Sequence, residues 1–527
     1  MKERMKKTLL ISWALIVCSA LIMSGCSPLE HMAATSNAEG ARGDNYQTSP
    51  STSSSMPTED YSHGCAESLP YPGEYPIFTS GEEYLEIAEN ETRNASEEPE
   101  MTFSLKVDTA AYTNMKRYIE NGMLPSSDSV RTEELINYFD YDKILSPTGD
   151  SPLAIYTELG PSPFDENKQL AFIRIKTEEV DKDELPPSNL VFLIDTSGSM
   201  ASSDKLPLLQ KAFSELVDTL DENDRVSIVT YAGSSEVILS GASGSDKDQI
   251  KHTINQLESY GSTAGEQGIQ TAYELAQENS IEEGNNRVIL ATDGDFNVGI
   301  SDINQLEDFI SSKRDTGLYL SVLGFGTGNI RDDIMETLSK NGNGNYSYID
   351  SIQTAKKVLV KELSSNLFTV ADDVKAKLVF DPEAVSSYRL IGYENRIMNN
   401  KDFEDDSKDA GEIGLGSDVV ILVELDTIDS HAAPFTVNIR YKNPGESESN
   451  LLEEPATPGS NMRSNTTDFG FACSVALYGD ILRNPYDASR EQIAAAVDLA
   501  KQNKGEDSEG YRADYIDLLQ QLDGLCR

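Results

Sequence analysis

The chain has 527 residues, with 89 Asp and Glu against 43 Lys and Arg, and a formal net charge of −46. A field of that sign repels phosphate backbones, which argues against nucleic acid as a partner and favours cations and basic surfaces. Hydrophobic residues at 38% and charged residues at 25% describe a folded body facing water, long enough for three or four domains at about 150 residues each.

The first 26 residues read as a targeting segment. Lys2, Arg4, Lys6 and Lys7 form a positive start, residues 9–23 form an apolar run too short for a comfortable span, and Ser24-Gly25 precede Cys26. The pattern resembles a bacterial lipoprotein signal, although Met23 stands where such signals prefer Leu. The resemblance implies lipidation of Cys26 and a body anchored on the extracytoplasmic side of a membrane, in the cell envelope; an uncleaved anchor is the alternative. Beyond Cys18 and Cys26 only Cys65, Cys473 and Cys526 remain, too few for a disulfide framework. One Cys473–Cys526 bridge or separate thiols both fit. Residues 27–100, rich in Ser, Thr, Gly, Asn, Glu and Pro, are expected to be a disordered spacer. A flexible chain of that length spans on the order of 45 Å.

An N-terminal α+β region is expected over 101–187. It has a strand near 103–107, a helix capped by Asp108-Thr109 and ending near 121, a helix over 131–139, and strands within 153–159 and 169–175. Over 188–367 strands alternate with helices. Strands are expected at 190–194, 225–231, 236–239, 288–291, 319–324 and 346–349, and helices at 204–220, 247–257, 265–277, 302–313, 331–340 and 352–363. That alternation predicts an α/β fold with a doubly wound, mostly parallel sheet, 236–239 forming an antiparallel edge. Residues 368–466 change to strands at 374–380, 388–393, 419–425 and 435–441, followed by a polar linker over 446–466. The strands within 153–177 lack partners of their own, so they are expected to pair with this later set. The α/β unit then becomes an insertion into a β-sandwich-like domain, and 467–527 forms a small helical C-terminal domain, clearest at 492–502 and 511–522.

The chemistry concentrates where apolar strands end. Residues 190–194 run into Asp195-Thr-Ser-Gly-Ser199, which offers a carboxylate and the hydroxyls of Ser197 and Ser199. In open α/β sheets ligands bind at that carboxyl edge. Alone, the segment serves equally well as a turn or helix cap. Gly261-Ser-Thr-Ala-Gly265 adds Thr263, and a second apolar strand ends on Asp293. If the two strands are neighbours, two carboxylates and three hydroxyls meet, a hard oxygen set suited to Mg²⁺.

Asp195, Ser197, Ser199, Thr263 and Asp293 together resemble the metal-ion-dependent adhesion site of the von Willebrand factor type A (VWA) domain, whose fold is Rossmann-like. With segments such as 131–140, 286–299, 322–329 and 388–395, the chain from 101 to 527 resembles bacterial VWA lipoproteins of the YfbK type. The resemblance implies that Ser197, Ser199 and Thr263 are hydroxyl ligands and that Asp195 and Asp293 act directly or through water. It implies Mg²⁺ or Mn²⁺ ahead of Ca²⁺, with the open position taken by an acidic side chain of a partner protein. Asp295 reads as a solvated turn residue. Asp405-x-Ser407-x-Asp409-x-Gly411 reads as an acidic loop, because its Gly falls one place late for a calcium loop and Gly416 occupies position twelve.

The expected function is a tethered, metal-dependent protein-binding module and not an enzyme. The alternatives are a structural envelope protein with no metal-dependent ligand and a metal-assisted hydrolase. The latter is disfavoured by scattered histidines (His31, His63, His252, His431) and by the absence of an HExxH motif or a G-x-S-x-G elbow. The only tryptophan, Trp13, lies ahead of Cys26. Protein extracted from membranes is therefore expected to lack indole fluorescence; a tryptophan emission band would show that the leader is retained.

Overall fold

The computed structural model describes residues 82–106, 108–141, 146–147, 151–180, 184–261, 265–294, 303–327, 330–428, 432–456 and 465–526. Cys26, Cys65, Thr263, Asp295 and His431 lie outside them. The chain opens with strands β1 (Arg93–Asn94) and β2 (Glu100–Ser104), helices α1 (Ala110–Glu120) and α2 (Thr132–Asn137), and an antiparallel hairpin of β3 (Leu153–Pro161) and β4 (Gln169–Thr177). The polar stretch expected to be spacer as far as 100 is structured from 82 on: the Glu83 amide donates to the Ile330 carbonyl at 3.0 Å, and β1 pairs with residues 387–388.

The α/β unit comes next. Its strands are β5 (Ser188–Asp195), β6 (Arg225–Tyr231), β7 (Ser235–Ser243), β8 (Asn285–Thr292), β9 (Leu318–Phe325) and β10 (Tyr346–Ile349). They are ordered β10-β9-β8-β5-β6-β7, all parallel except β7. Interleaved with them are α3 (Leu206–Thr219), α4 (Lys247–Asn255), α5 (Gly265–Glu278), α6 (Ile303–Arg314), α7 (Asp332–Asn341), α8 (Ile352–Lys356) and α9 (Leu363–Leu367). The central strand β5 is buried throughout, because helices cover both faces of the sheet. Its Leu190, Phe192 and Ile194 pack with Leu209, Phe213 and Leu216 of α3, while Val191 and Leu193 pack with Ile269, Ala272 and Tyr273 of α5. The single helix expected over 352–363 is interrupted by a π-helical turn at Lys357–Lys361.

The chain continues through β11 (Thr369–Phe380), β12 (Val385–Ile391), β13 (Ile397–Met398), β14 (Gly411–Gly414), β15 (Asp418–Thr427), β16 (Phe435–Lys442) and β17 (Ser449–Pro455), then α10 (Thr467–Arg483), α11 (Arg490–Gln502) and α12 (Tyr511–Leu522). Two sheets result, β1-β12-β15-β4-β3 and β13-β2-β11-β16-β17. The hairpin β3–β4 joins β15, so strands before and after the α/β unit share a sheet and the unit is an insertion. Part of the segment expected to be a linker is instead the edge strand β17, paired to β16.

Strand β4 explains the layering. Ala171, Ile173 and Ile175 face the sandwich core, while Leu170 and Phe172 face a helical core. Successive side chains point to opposite faces of a strand, so this strand is apolar on both sides and needs a layer on each. Helices α10–α12 form the outer layer together with α1 and α2, so the C-terminal helices share one core with residues 110–139. Cys473 and Cys526 are buried there as free thiols, and no bridge joins them. Among the described residues no helix is long and apolar enough to cross a membrane.

Charged groups tie the insertion to its host. Arg131 donates to Asp332 of α7 from Nη1 at 2.6 Å and Nη2 at 3.2 Å, and it also pairs with Glu134. Arg396 Nη2 reaches Asp108 Oδ2 at 3.1 Å and Glu336 Oε1 at 3.0 Å. Asp108 is therefore no helix cap: its Oδ1 accepts the Tyr346 amide at 3.0 Å, closing the outer edge of β10. All these charged side chains are buried. Removing one member strands the others in a medium that cannot solvate them. Arg131→Ala is expected to cost about 3–5 kcal/mol, read as a lowered denaturant midpoint; an unchanged midpoint would show that Asp332 is compensated from elsewhere.

Candidate metal centre

Parallel pairing sets the first part of the site. Ile194 of β5 lies opposite Ala291 of β8, so Asp195 and Asp293 leave neighbouring strands at the same sheet edge. Both are buried, at 0% and 1% exposure. Asp195 Oδ1 accepts the Ser197 amide at 2.8 Å, an Asx turn that bends the chain back over the strand end. Its Oδ2 accepts Thr292 Oγ1 at 3.2 Å, and the Gly294 amide donates to that same hydroxyl at 3.2 Å.

The loop after β5 is held on two sides. The Thr196 amide donates to the Tyr231 carbonyl at 2.9 Å, and the Thr196 carbonyl accepts the Tyr260 amide at 2.7 Å. The Gly198 amide donates to the Gly261 carbonyl at 3.2 Å. The segment that leads to Thr263 is thus bonded directly to the serine loop. Ser197 and Ser199 place their hydroxyls 2.9 Å apart. Ser197 is buried while Gly198 and Ser199 are exposed, so the centre opens to solvent on the Ser199 side. Tyr260 stands at this rim with 59% of its surface exposed.

The electrostatics are uneven. Burial raises the Asp195 carboxyl to about 6; the Ser197 amide and hydroxyl and the Thr292 hydroxyl pull it back, and the charge of Asp293 pushes it further up. Asp293 Oδ2 instead meets a cation, the Lys205 ammonium at 2.8 Å. Lys205 directly precedes α3 and was not among the residues singled out from the sequence. The one local hint is that it is the first basic residue after β5 begins. Tyr260 and Thr292 were likewise missed, since neither residue type signals a role by itself. At the acidic loop, Asp405 accepts the amide and hydroxyl of Ser407 while Asp409 pairs with Arg314 at 3.0 Å, the behaviour of a solvated turn.

Comparison with known proteins fits this geometry. The family model for the von Willebrand factor type A domain matches residues 189–361, that for von Willebrand factor matches 79–171, and that for the YfbK C-terminal region matches 365–525. The chain therefore carries a VWA domain, a module that often binds proteins through a divalent metal at a metal-ion-dependent adhesion site. It is 40% identical to the uncharacterized protein YfbK of Escherichia coli strain K12 over 469 residues, 84% of this chain and 81% of that one, and it belongs to the YfbK-like family of VWA proteins. Among solved structures, a von Willebrand factor type A protein from Catenulispora acidiphila is 16% identical, covering 72% of this chain and 92% of its own, at a TM-score of 0.42. Proximal thread matrix protein 1 of the mussel byssus, solved with a zinc-occupied adhesion-site motif, is 20% identical over 36% of this chain and 46% of its own, at a TM-score of 0.29.

The residues fit the divalent metal that this family uses. Among the described residues no group of three or more His, Cys, Asp or Glu is arranged to hold a metal. The candidate centre relies instead on two carboxylates and adjacent hydroxyls, all hard oxygen donors. The ammonium already standing against Asp293 marks it as a place where positive charge is stabilised.

The raised Asp195 carboxyl makes the stability of the metal-free fold depend on pH. Its folded value, about 6, exceeds the unfolded value near 3.9, so the metal-free fold binds the proton more tightly than the unfolded chain. That contribution is present at low pH and is lost as pH rises through about 6, on the order of 3 kcal/mol. In chelator, the stability of wild type relative to Asp195→Asn is expected to fall by about this amount between pH 4 and 7 in denaturant titrations; a difference independent of pH would contradict burial as the cause.

Proposed function

We propose that this protein is a lipid-anchored, extracytoplasmic binding protein whose VWA domain takes a partner's acidic side chain onto a Mg²⁺ or Mn²⁺ ion. Asp195, Ser197, Ser199, Thr263 and Asp293 hold the ion, and Cys26 carries the lipid. The observation that carries this reading is the meeting of Asp195 and Asp293 at the ends of β5 and β8, beside a serine pair that opens to solvent at Ser199. A dication with two anionic protein ligands remains electrophilic, so an incoming carboxylate supplies a strong final contact. Tyr260 supplies aromatic surface at the rim, of the kind that anchors interfaces. The similar proteins are VWA proteins, which favours binding over catalysis, and the leader favours the envelope.

Calorimetric titration with Mn²⁺ is expected to show one site in wild type and none in Asp195→Ala or Asp293→Ala. A partner captured from envelope extract in Mg²⁺ should be released by EDTA. Silence of the wild type toward both Mn²⁺ and Mg²⁺ would overturn the metal-dependent reading in favour of a structural role.

A further inference from the structure

We propose that Lys205 is a built-in counter-cation that sets the charge of this centre. It holds Asp293 when no metal is present, weakens the metal's grip, and leaves the loaded site with a single positive charge for the partner to neutralise. The inference rests on the metal-binding reading above.

The placement is specific. Lys205 Nζ lies 2.8 Å from Asp293 Oδ2 across 88 residues of sequence, and the two side chains are 8% and 0% exposed. The aliphatic stem has a lane of its own. Gly326, at φ +75°, lies against it, and a Cβ there would fall 2.2 Å from Lys205 Cε, 2.3 Å from Cγ and 2.7 Å from Cδ. Any other residue at 326 would displace the stem, and its backbone conformation is one that glycine adopts freely. The Gly326 carbonyl is held in turn by the Tyr348 hydroxyl. The main chain of Lys205 is fixed at both ends, its amide donating to Ser202 at 3.1 Å and its carbonyl accepting Leu209 at 2.8 Å. A lysine ordered in this way has already lost the rotamer freedom that makes most ammonium contacts weak.

Asp195, Asp293 and Lys205 together carry one negative charge when both carboxyls are ionised. A dication turns that into one positive charge, and one carboxylate from a partner brings the centre to neutrality. Without Lys205 the loaded centre would already be neutral before the partner arrived. The lysine therefore trades metal affinity for attraction toward an acidic ligand, in a buried setting where such interactions are strong.

The test compares wild type with Lys205→Gln, Lys205→Met and Lys205→Arg by Mn²⁺ calorimetry at fixed pH and ionic strength, with thermal unfolding in chelator and in excess Mn²⁺. The neutral variants are expected to bind Mn²⁺ about tenfold more tightly or better. They should melt lower than wild type in chelator and recover in Mn²⁺, whereas Lys205→Arg should stay near wild type. Lys205→Gln leaves a polar, uncharged group in the lane and serves if the Met variant does not fold. Unchanged or weaker Mn²⁺ binding in the neutral variants, with wild type binding normally, would overturn this inference and leave the metal site standing. No binding by wild type would remove both.

Discussion

Two carboxylates at the ends of neighbouring parallel strands make a concentration of negative charge that a protein interior must compensate. The pairing of β5 with β8 creates this situation at Asp195 and Asp293, and the surrounding elements answer it. Burial pushes the Asp195 carboxyl up, and the amide and hydroxyl that meet it, carrying no charge, pull it back only in part. Asp293 is met by an ammonium. The serine loop is clamped to residues 231, 260 and 261, so its hydroxyls are presented by backbone bonds and not by side-chain chance. Preorganisation of this kind suits a site that must hold a small ion at fixed distances and leave one side open.

The same constraint recurs where the inserted α/β unit meets its host. Arg131 and Arg396 stand against Asp108, Glu134, Asp332 and Glu336, all out of water, and Lys106 lies 3.9 Å from Asp108. Burial pushes the Glu134 carboxyl up even with Arg131 beside it. Replacing such a network by apolar groups is often neutral in net stability, whereas removing one partner leaves a buried charge uncompensated. A separate path links the candidate centre to the host helix α1. Lys205 packs on Gly326, whose carbonyl holds Tyr348, and the Tyr348 ring lies 5.5 Å from the Arg117 guanidinium on α1. On the other side Lys357 sits 5.0 Å from the Tyr138 ring and 5.1 Å from the Tyr511 ring, seating the π-helical turn of the α/β unit on the helical layer.

Much of this was legible in the sequence. The apolar runs ending on Asp195 and Asp293, alternating with amphipathic segments, announce a parallel sheet with a loaded carboxyl edge, and strands without partners over 153–177 announce the insertion. The departures have physical causes. Residues 82–100 look like spacer because they are polar, yet the Glu83 amide and β1 gain backbone partners from distant strands and loops. Strand β17 looks like linker because only its pairing with β16, and not an apolar face, makes it a strand. Asp108 looks like a helix cap, and a distant amide and guanidinium claim it instead.

Local patterning therefore determined the elements, their alternation and the loops at which oxygen donors gather, because helix and strand periods and turn chemistry act over a few residues. Only the tertiary structure decided which charges meet. Lys205 is an ordinary lysine before a helix until the fold brings Asp293 to within 2.8 Å of it and Gly326 makes room for its stem. A residue's propensity is written in its neighbours along the chain. The energy of a buried charge is set by the groups that share its low-dielectric surroundings, and those come together only when the chain has folded.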